Sequence, residues 1–168
     1  PERCAENTRK LLDDDVLALF GYIGTPTSVV ALPLATKAKV PFIAPFTGAM
    51  ALRTPLNRYA FHVRASYNDE TALIVKQLTN LGLKKIAVFY QNDAYGNGAQ
   101  ASIEGELKKL NWAYEKVAEE KFPFAQADFR VAMTNVRAAN PDLTVVINAN
   151  EGLGMPAALR QARQSRLP

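Results

Sequence analysis

The sequence predicts an α/β protein with a largely parallel sheet, and three observations carry that prediction. Short apolar runs rich in β-branched and aromatic residues recur along the chain: VLALFGYI at 16–23, VPFIAPF at 40–46 and KIAVFY at 85–90. Stretches in which apolar residues return at helical spacing separate them. Strand and helix alternate about six times, with no internal repeat and no low-complexity linker to divide the chain.

Taken in order, the elements follow from local chemistry. Cys4, Ala5, Thr8, Leu11 and Leu12 fall near helical spacing over residues 2–12, and Asp13-Asp14-Asp15 ends that helix. Residues 16–23 form the first strand. Thr25-Pro26-Thr27-Ser28 then reads as a helix start, with hydroxyl caps and proline just inside the first turn, and the helix runs to about Lys37. Residues 40–46 form a second strand, with Pro41 at its entrance and Pro45 near its exit, the places where a missing N–H is tolerated. Residues 47–57 form a loop or a short helical turn, and the alternation over 59–63 marks a strand. Helix follows from Tyr67 to Leu81, closed by Gly82 at the C′ position. The continuous apolar run 85–90 is a buried strand. Helix over 95–110, strand over 114–119, helix over 127–139, strand over 143–148 and helix over 154–166 complete the pattern.

Composition narrows the function classes. The chain of 168 residues is 48% hydrophobic and 21% charged, the balance of a globular protein. No apolar run approaches the roughly 18–20 residues of a membrane-spanning helix. The net charge of +4 invites a nucleic-acid reading. Its carriers, Arg9, Lys10, Lys37, Lys39, Lys84, Lys85, Lys108 and Lys109, are scattered, and only Arg160, Arg163 and Arg166 share a helical face, so no nucleic-acid partner is expected. Cys4 is the only cysteine, which excludes an internal disulfide and a thiolate metal cluster. His62 is the only histidine, and no Ser-His-Asp set or metal-ligand spacing accompanies it. Asp13, Asp14 and Asp15 read as a solvated turn. No cofactor is expected and catalysis has no evident machinery. One motif competes: Gly96-Asn97-Gly98-Ala99-Gln100-Ala101 has the form G-x-G-x-x-A, and Glu115 and Glu119 lie near the spacing of a ribose-binding acid. Its first glycine comes too late after the strand for the dinucleotide turn.

Open α/β sheets bind ligands outside the carboxyl ends of their strands, where unpaired helix N–H groups gather. Two segments sit at such ends. Thr25 and Thr27 follow one strand and open a helix, so their hydroxyls and amides suit a carboxylate. Phe46-Thr47-Gly48 follows the next strand, and Gly48 lets backbone approach closely. As bare sequence, both segments read as capping and turn chemistry ahead of ligand binding.

Four stretches in this order resemble the leucine/isoleucine/valine-binding branch of the type I periplasmic solute-binding proteins: residues 18–49, NRYAFHVRASYNDET at 57–71, KKIAVFYQNDAYGNGAQASIEGELKK at 84–109, and LRQAR at 159–163. The resemblance implies two incomplete Rossmann-like lobes, residues 1–65 and 66–168, with a crossing near 63–67. It implies a central section of a longer protein, since the chain opens directly on a helical pattern and shows no signal sequence. The implied function is capture of an amino acid, of branched-chain type, or a related small carboxylate for an ABC permease in the membrane, in the periplasm and without catalysis. A ligand-sensing domain of a regulator and a nucleotide-dependent enzyme are the alternatives.

The resemblance also implies site residues. Thr25 aligns with a hydroxyl that holds the ligand carboxylate, and Phe46 and Gly48 with two further contacts. Phe46 can use only its backbone, and Gly48 has no hydroxyl, so Thr47 is the substitute. Tyr95 matches a tyrosine facing ligand from the second lobe. Tyr67 is a wall residue at the crossing. Asn150 and Glu151 follow the last strand, where Glu151 would meet a ligand ammonium. With strands that are normally central left at an edge, self-association of the chain is expected.

Overall fold

The structure is a computed structural model that describes residues 1–111, 113–149 and 154–166. It divides into two compact units, Pro1–Glu70 and Thr71–Pro168.

In the first unit, α1 (Glu2–Asp13), β1 (Leu19–Phe20), α2 (Thr25–Ala38), β2 (Phe42–Ile43), a 3₁₀ turn (Met50–Leu52) and β3 (Ala60–Phe61) lead into α3 (Tyr67–Asn80). The strands form a parallel sheet in the order β1-β2-β3, with Leu19, Phe42 and Ala60 in one row and Phe20, Ile43 and Phe61 in the next. These strands are shorter than the apolar runs predict. Gly21 (φ 70°) and Ala44 (φ 52°) take left-handed conformations that break the pleat, and Pro41 and Pro45 have no N–H to give. Ladder bonding nonetheless continues past the break: Phe46 N donates to Tyr22 O at 2.7 Å, and Ile23 bridges Phe46 in parallel.

One sheet face carries the core. Leu19, Phe42 and Leu52 pack with Ala31, Leu32 and Ala35 of α2, and Cys4, Leu12, Val16 and Tyr22 complete the cluster. Ala31 and Ala35 are fully buried, because only a methyl fits where α2 lies against its neighbours. The other face is open: Phe20 is 75% exposed and Phe61 51% exposed in the same cross-strand row. Large apolar side chains grouped on a sheet face favour a covering surface. The isolated chain is therefore expected to self-associate, face to face through Phe20 and Phe61. Light scattering across a concentration series would show mass rising with concentration, and a Phe20→Lys/Phe61→Lys variant should stay monomeric. A clean monomer for the parent chain refutes the expectation.

In the second unit, β4 (Lys85–Gln91), α4 (Ala94–Lys109), β5 (Glu115–Phe122), α5 (Arg130–Ala138), β6 (Leu143–Ile147) and α6 (Gly154–Gln164) form a parallel sheet in the order β5-β4-β6. The central strand β4 is buried from Ile86 to Gln91, and its period of two feeds a core on each face. Ile86, Val88 and Tyr90 pack with Val75 and Leu78 of α3 and Ala99, Ile103 and Leu107 of α4. Phe89 packs on the other side with Phe122, Phe129, Met133, Ala157 and Ala158. There the rings of Phe89, Phe122 and Phe129 meet with centroids 4.5, 5.2 and 5.1 Å apart, two of the three pairs edge to face. β5 runs to Phe122, beyond the expected 114–119, because Phe122 must reach that cluster. α5 starts at Arg130 rather than 127, with the Phe129 ring buried and its N–H donating to Gln161 Oε1 at 2.7 Å. Among the described residues no helix is long and apolar enough to cross a membrane.

Candidate functional site

In the first unit the carboxyl ends of β1 and β2 bring Thr25 and Thr47 together. Both are fully buried, and their hydroxyl oxygens lie 2.6 Å apart. Thr47 donates onward to the Tyr67 hydroxyl at 3.2 Å, so Thr25 is the donor to Thr47, and a relay Thr25→Thr47→Tyr67 results. Ala49 N–H also donates to Thr47 Oγ1 at 3.2 Å. Three residues separated widely in sequence thus meet because adjacent parallel strands end side by side.

The helix start at Thr25 differs from the expected hydroxyl cap. Gly24 (φ 92°) is the N-cap, and no side chain caps α2. Thr25 is the first helical residue and Pro26 the next, so the hydroxyl of Thr25 is released to reach Thr47. Thr27 stays outside the relay. Its hydroxyl turns back to the carbonyls of Gly24, at 2.9 Å, and Ile23.

The backbone role expected of Phe46 is not available to it. Its N–H donates to Tyr22 O and its carbonyl accepts from Gly24 N at 3.3 Å, so the sheet consumes both groups. What it presents is its ring, 65% exposed. The Arg64 guanidinium carbon lies 5.2 Å from the centroid of that ring and 5.6 Å from that of Tyr67. Glu70 accepts a bond from the same guanidinium. Gly48 is the point of closest approach: Tyr67 N donates to Gly48 O at 2.7 Å, and a Cβ on Gly48 would stand 2.6 Å from Tyr67 Cδ1.

In the second unit the end of β4 meets the start of α4. Asp93 is the N-cap, its Oδ1 accepting from Tyr95 N at 2.9 Å and Gly96 N at 3.1 Å. Buried Gln91 donates to the other Asp93 oxygen and accepts from Ala149 N at 3.2 Å, tying the ends of β4 and β6 together. Tyr95 is partly buried and packs on the core of α3, β4 and α4. Asn150 and Glu151 lie outside the described residues. The glycine motif falls inside α4 instead of at a strand–helix turn, and Gly96 is pressed against the Gln91 carbonyl, which removes the geometry a dinucleotide needs.

Sequence reasoning missed Gln91, Asp93 and Arg64. For Asp93 the signal was present, an Asn-Asp pair just before a helical pattern. For Arg64 there was none, since nothing in spacing separates it from a solvated arginine. His62 sits in the first unit with Nε2 3.1 Å from Leu52 O, and burial is the main cause holding its pKa below the ordinary imidazole value. It stands apart from the relay. No cluster of three or more metal-ligating side chains occurs among the described residues, Asp13–Asp15 included.

Comparisons with known proteins place the chain in a family. The family described as Periplasmic binding protein matches residues 1–168. A possible leucine/isoleucine/valine-binding protein from Rhodopirellula baltica is 28% identical, with a TM-score of 0.89 over 100% of this chain and 46% of its own. An extracellular ligand-binding receptor from Rhodopseudomonas palustris is 25% identical, with a TM-score of 0.86 and the same shares, 100% and 46%. A substrate-binding periplasmic protein from Ralstonia solanacearum is 27% identical, with a TM-score of 0.78 over 98% of this chain and 45% of its own. The chain therefore spans less than half the length of these relatives. No curated protein sequence matches it. The family match over the whole chain and the parallel sheets flanked by helices agree: this chain belongs to the periplasmic binding protein family, whose members are solute-binding proteins and not enzymes.

Proposed function

We propose that the protein captures a small carboxylate, an amino acid of branched-chain type or a related acid, as the substrate-binding component of an ABC transporter. Its partner is then a membrane permease and its compartment the periplasm. The observation that carries this reading is the Thr25→Thr47→Tyr67 relay at the carboxyl ends of β1 and β2. Thr25 and Thr47 spend their protons within this chain of hydroxyls, which orients and polarises the Tyr67 hydroxyl as the group that meets an anion, and the first-turn N–H groups of α2 lie beside Thr25. Phe46 and Tyr67 supply apolar surface for the rest of the ligand. Tyr95, with Asn150 and Glu151, is the contribution proposed for the second unit.

The test is calorimetric titration of the full-length protein with aliphatic and aromatic acids and amino acids. Thr25→Val and Thr47→Val keep the shape and remove a hydroxyl from the chain that orients and polarises the Tyr67 hydroxyl. Each is expected to weaken binding by about ten- to a hundredfold, the range of a charge-assisted hydrogen bond. Unchanged affinity in variants whose circular dichroism matches the parent would sink the reading.

A further inference from the structure

We infer that Gln91 is a positioning residue for ligand capture: it ties the carboxyl end of β6 to that of β4 and so holds the two segments that follow at one spacing. The inference rests on the contribution proposed above for the second unit, Tyr95 with Asn150 and Glu151, and adds what keeps that contribution in place. The paired register of β4 and β6 ends at Tyr90 and Ile147. Past that point Ala149 N donates to Gln91 Oε1 at 3.2 Å. The Gln91 amide in turn donates to Asp93 Oδ2, and Asp93 Oδ1 accepts from Tyr95 N at 2.9 Å and Gly96 N at 3.1 Å. One side chain thereby joins the residue ahead of Asn150 to the turn that carries Tyr95. The end of β5 is drawn to the same turn, since Asn92 N donates to Phe122 O at 2.7 Å.

Packing alone would place another residue type here. Gln91 follows Phe89 at the strand period of two, on the face where Phe89, Phe122, Phe129 and Met133 are buried. An apolar side chain would suit that stripe, and burying an amide costs free energy unless both its ends are bonded. Gln91 is 2% exposed, and both ends are bonded. Its partners fix its orientation. An ionised carboxylate only accepts and a backbone N–H only donates, so the amide nitrogen faces Asp93 and the amide oxygen faces Ala149. A second tie between the same strands supplies a contrast. At their amino ends Asp142 Oδ2 accepts from Lys84 N and Lys85 N, each at 2.9 Å, and Asp142 N donates to Lys85 O at 2.7 Å. That tie lies at the end of the sheet opposite the one where α/β proteins bind ligands. Both ties hold β4 to β6, but only Gln91 acts on the segments proposed to meet the ligand.

The full-length protein is titrated calorimetrically with leucine, valine, 4-methylpentanoate and benzoate, and each variant is read with whichever of these binds the parent most tightly. Gln91→Met keeps the length and the apolar fit and removes both bonds. It is expected to weaken binding by about tenfold or more. Gln91→Glu should do the same, because it sets a second carboxylate against Asp93. The pair Gln91→Glu/Asp93→Asn reverses the polarity, placing an amide opposite the new carboxylate while the Ala149, Tyr95 and Gly96 N–H groups keep acceptors. It should recover most of the lost affinity. Asp142→Ala is the structural control, expected to lower the urea midpoint and leave affinity at the parent's value. A loss of affinity in Asp142→Ala equal to that in Gln91→Met would make the effect one of general stability and overturn the inference. Parent-like affinity in either folded Gln91 variant overturns it, as does a reversed pair that folds and still binds weakly. Failure of both single variants to fold would assign Gln91 to stability and overturn it too. A parent protein that binds none of the four probes fails the carboxylate reading, and this inference falls with it. Variants that bind as the parent does leave that reading standing.

Discussion

Replacing Gly96 with alanine is expected to destabilise the second unit by about 3 kcal/mol or more, at the top of the range for overpacked sites. Helix propensity alone predicts the opposite. Gly96 lies inside α4, and alanine there should gain about 1 kcal/mol over glycine. The contact decides the sign. A Cβ at Gly96 would stand 1.9 Å from the Gln91 carbonyl oxygen, 2.8 Å from its carbon and 3.0 Å from its nitrogen. All three are backbone atoms at the end of β4, which is paired to β5 on one side and β6 on the other. The strand cannot give without breaking ladder bonds, so α4 must tilt away from it. That movement strains the Asp93 bonds to Tyr95 N and Gly96 N. A loss of about 3 kcal/mol is a large part of the 5–15 kcal/mol that holds an ordinary domain together.

Gly98 supplies the internal control. It sits in the same helix two residues on, and a Cβ there meets nothing within 4 Å. Gly98→Ala is therefore expected to stabilise the protein by about 0.5–1 kcal/mol. Urea denaturation followed by far-ultraviolet circular dichroism reads both variants. Opposite signs support the packing argument, and stabilisation by both would refute it.

The parts of the fold legible in the sequence are those where a single physical rule dominates. KIAVFY reads as a buried central strand because an uninterrupted apolar run has few other uses, and β4 is such a strand. The first unit is harder to read. VLALFGYI and VPFIAPF look like long strands, yet Gly21 and Ala44 turn left-handed, and only two residues of each run keep full pairing as a named strand. Glycine advertises that freedom in a sequence, whereas alanine does not. The site divides in the same way. Thr25 and Thr47 can be named because strand ends and helix starts are where hydroxyls act. Their direct bond cannot be foreseen, because it depends on how β1 and β2 stagger. The ring of Phe46 and the guanidinium of Arg64 are beyond reach for a similar reason. A side chain's partner in space is set by tertiary packing, and local sequence carries no record of it.

Gly48→Ala is the second large effect, and it tests the site's construction directly. In the sequence, Gly48 stands where a hydroxyl residue is expected, with Thr47 as its substitute. In the fold, Gly48 has a steric role, because it lets the chain after β2 lie against the first residue of α3. An added Cβ meets Tyr67 Cδ1 at 2.6 Å, Tyr67 N at 2.7 Å and Tyr67 Cε1 at 3.0 Å. The ring can rotate away, but the backbone nitrogen cannot, since it is fixed to Gly48 O by a 2.7 Å bond. Relief requires Tyr67 to withdraw, which breaks the Thr47–Tyr67 bond and leaves the relay without its outer hydroxyl. We expect a stability loss of about 1–3 kcal/mol in the first unit, the usual cost of overpacking. Ligand affinity on the full-length protein should fall by about tenfold or more, since a positioned donor is lost with it. A double-mutant cycle with Tyr67→Ala isolates the cause. Removing the ring should recover part of the stability lost in Gly48→Ala, while the clash with the Tyr67 nitrogen keeps the recovery incomplete. Strict additivity of the two substitutions would show that Gly48 and Tyr67 do not press on each other, and would remove the close approach on which the relay depends.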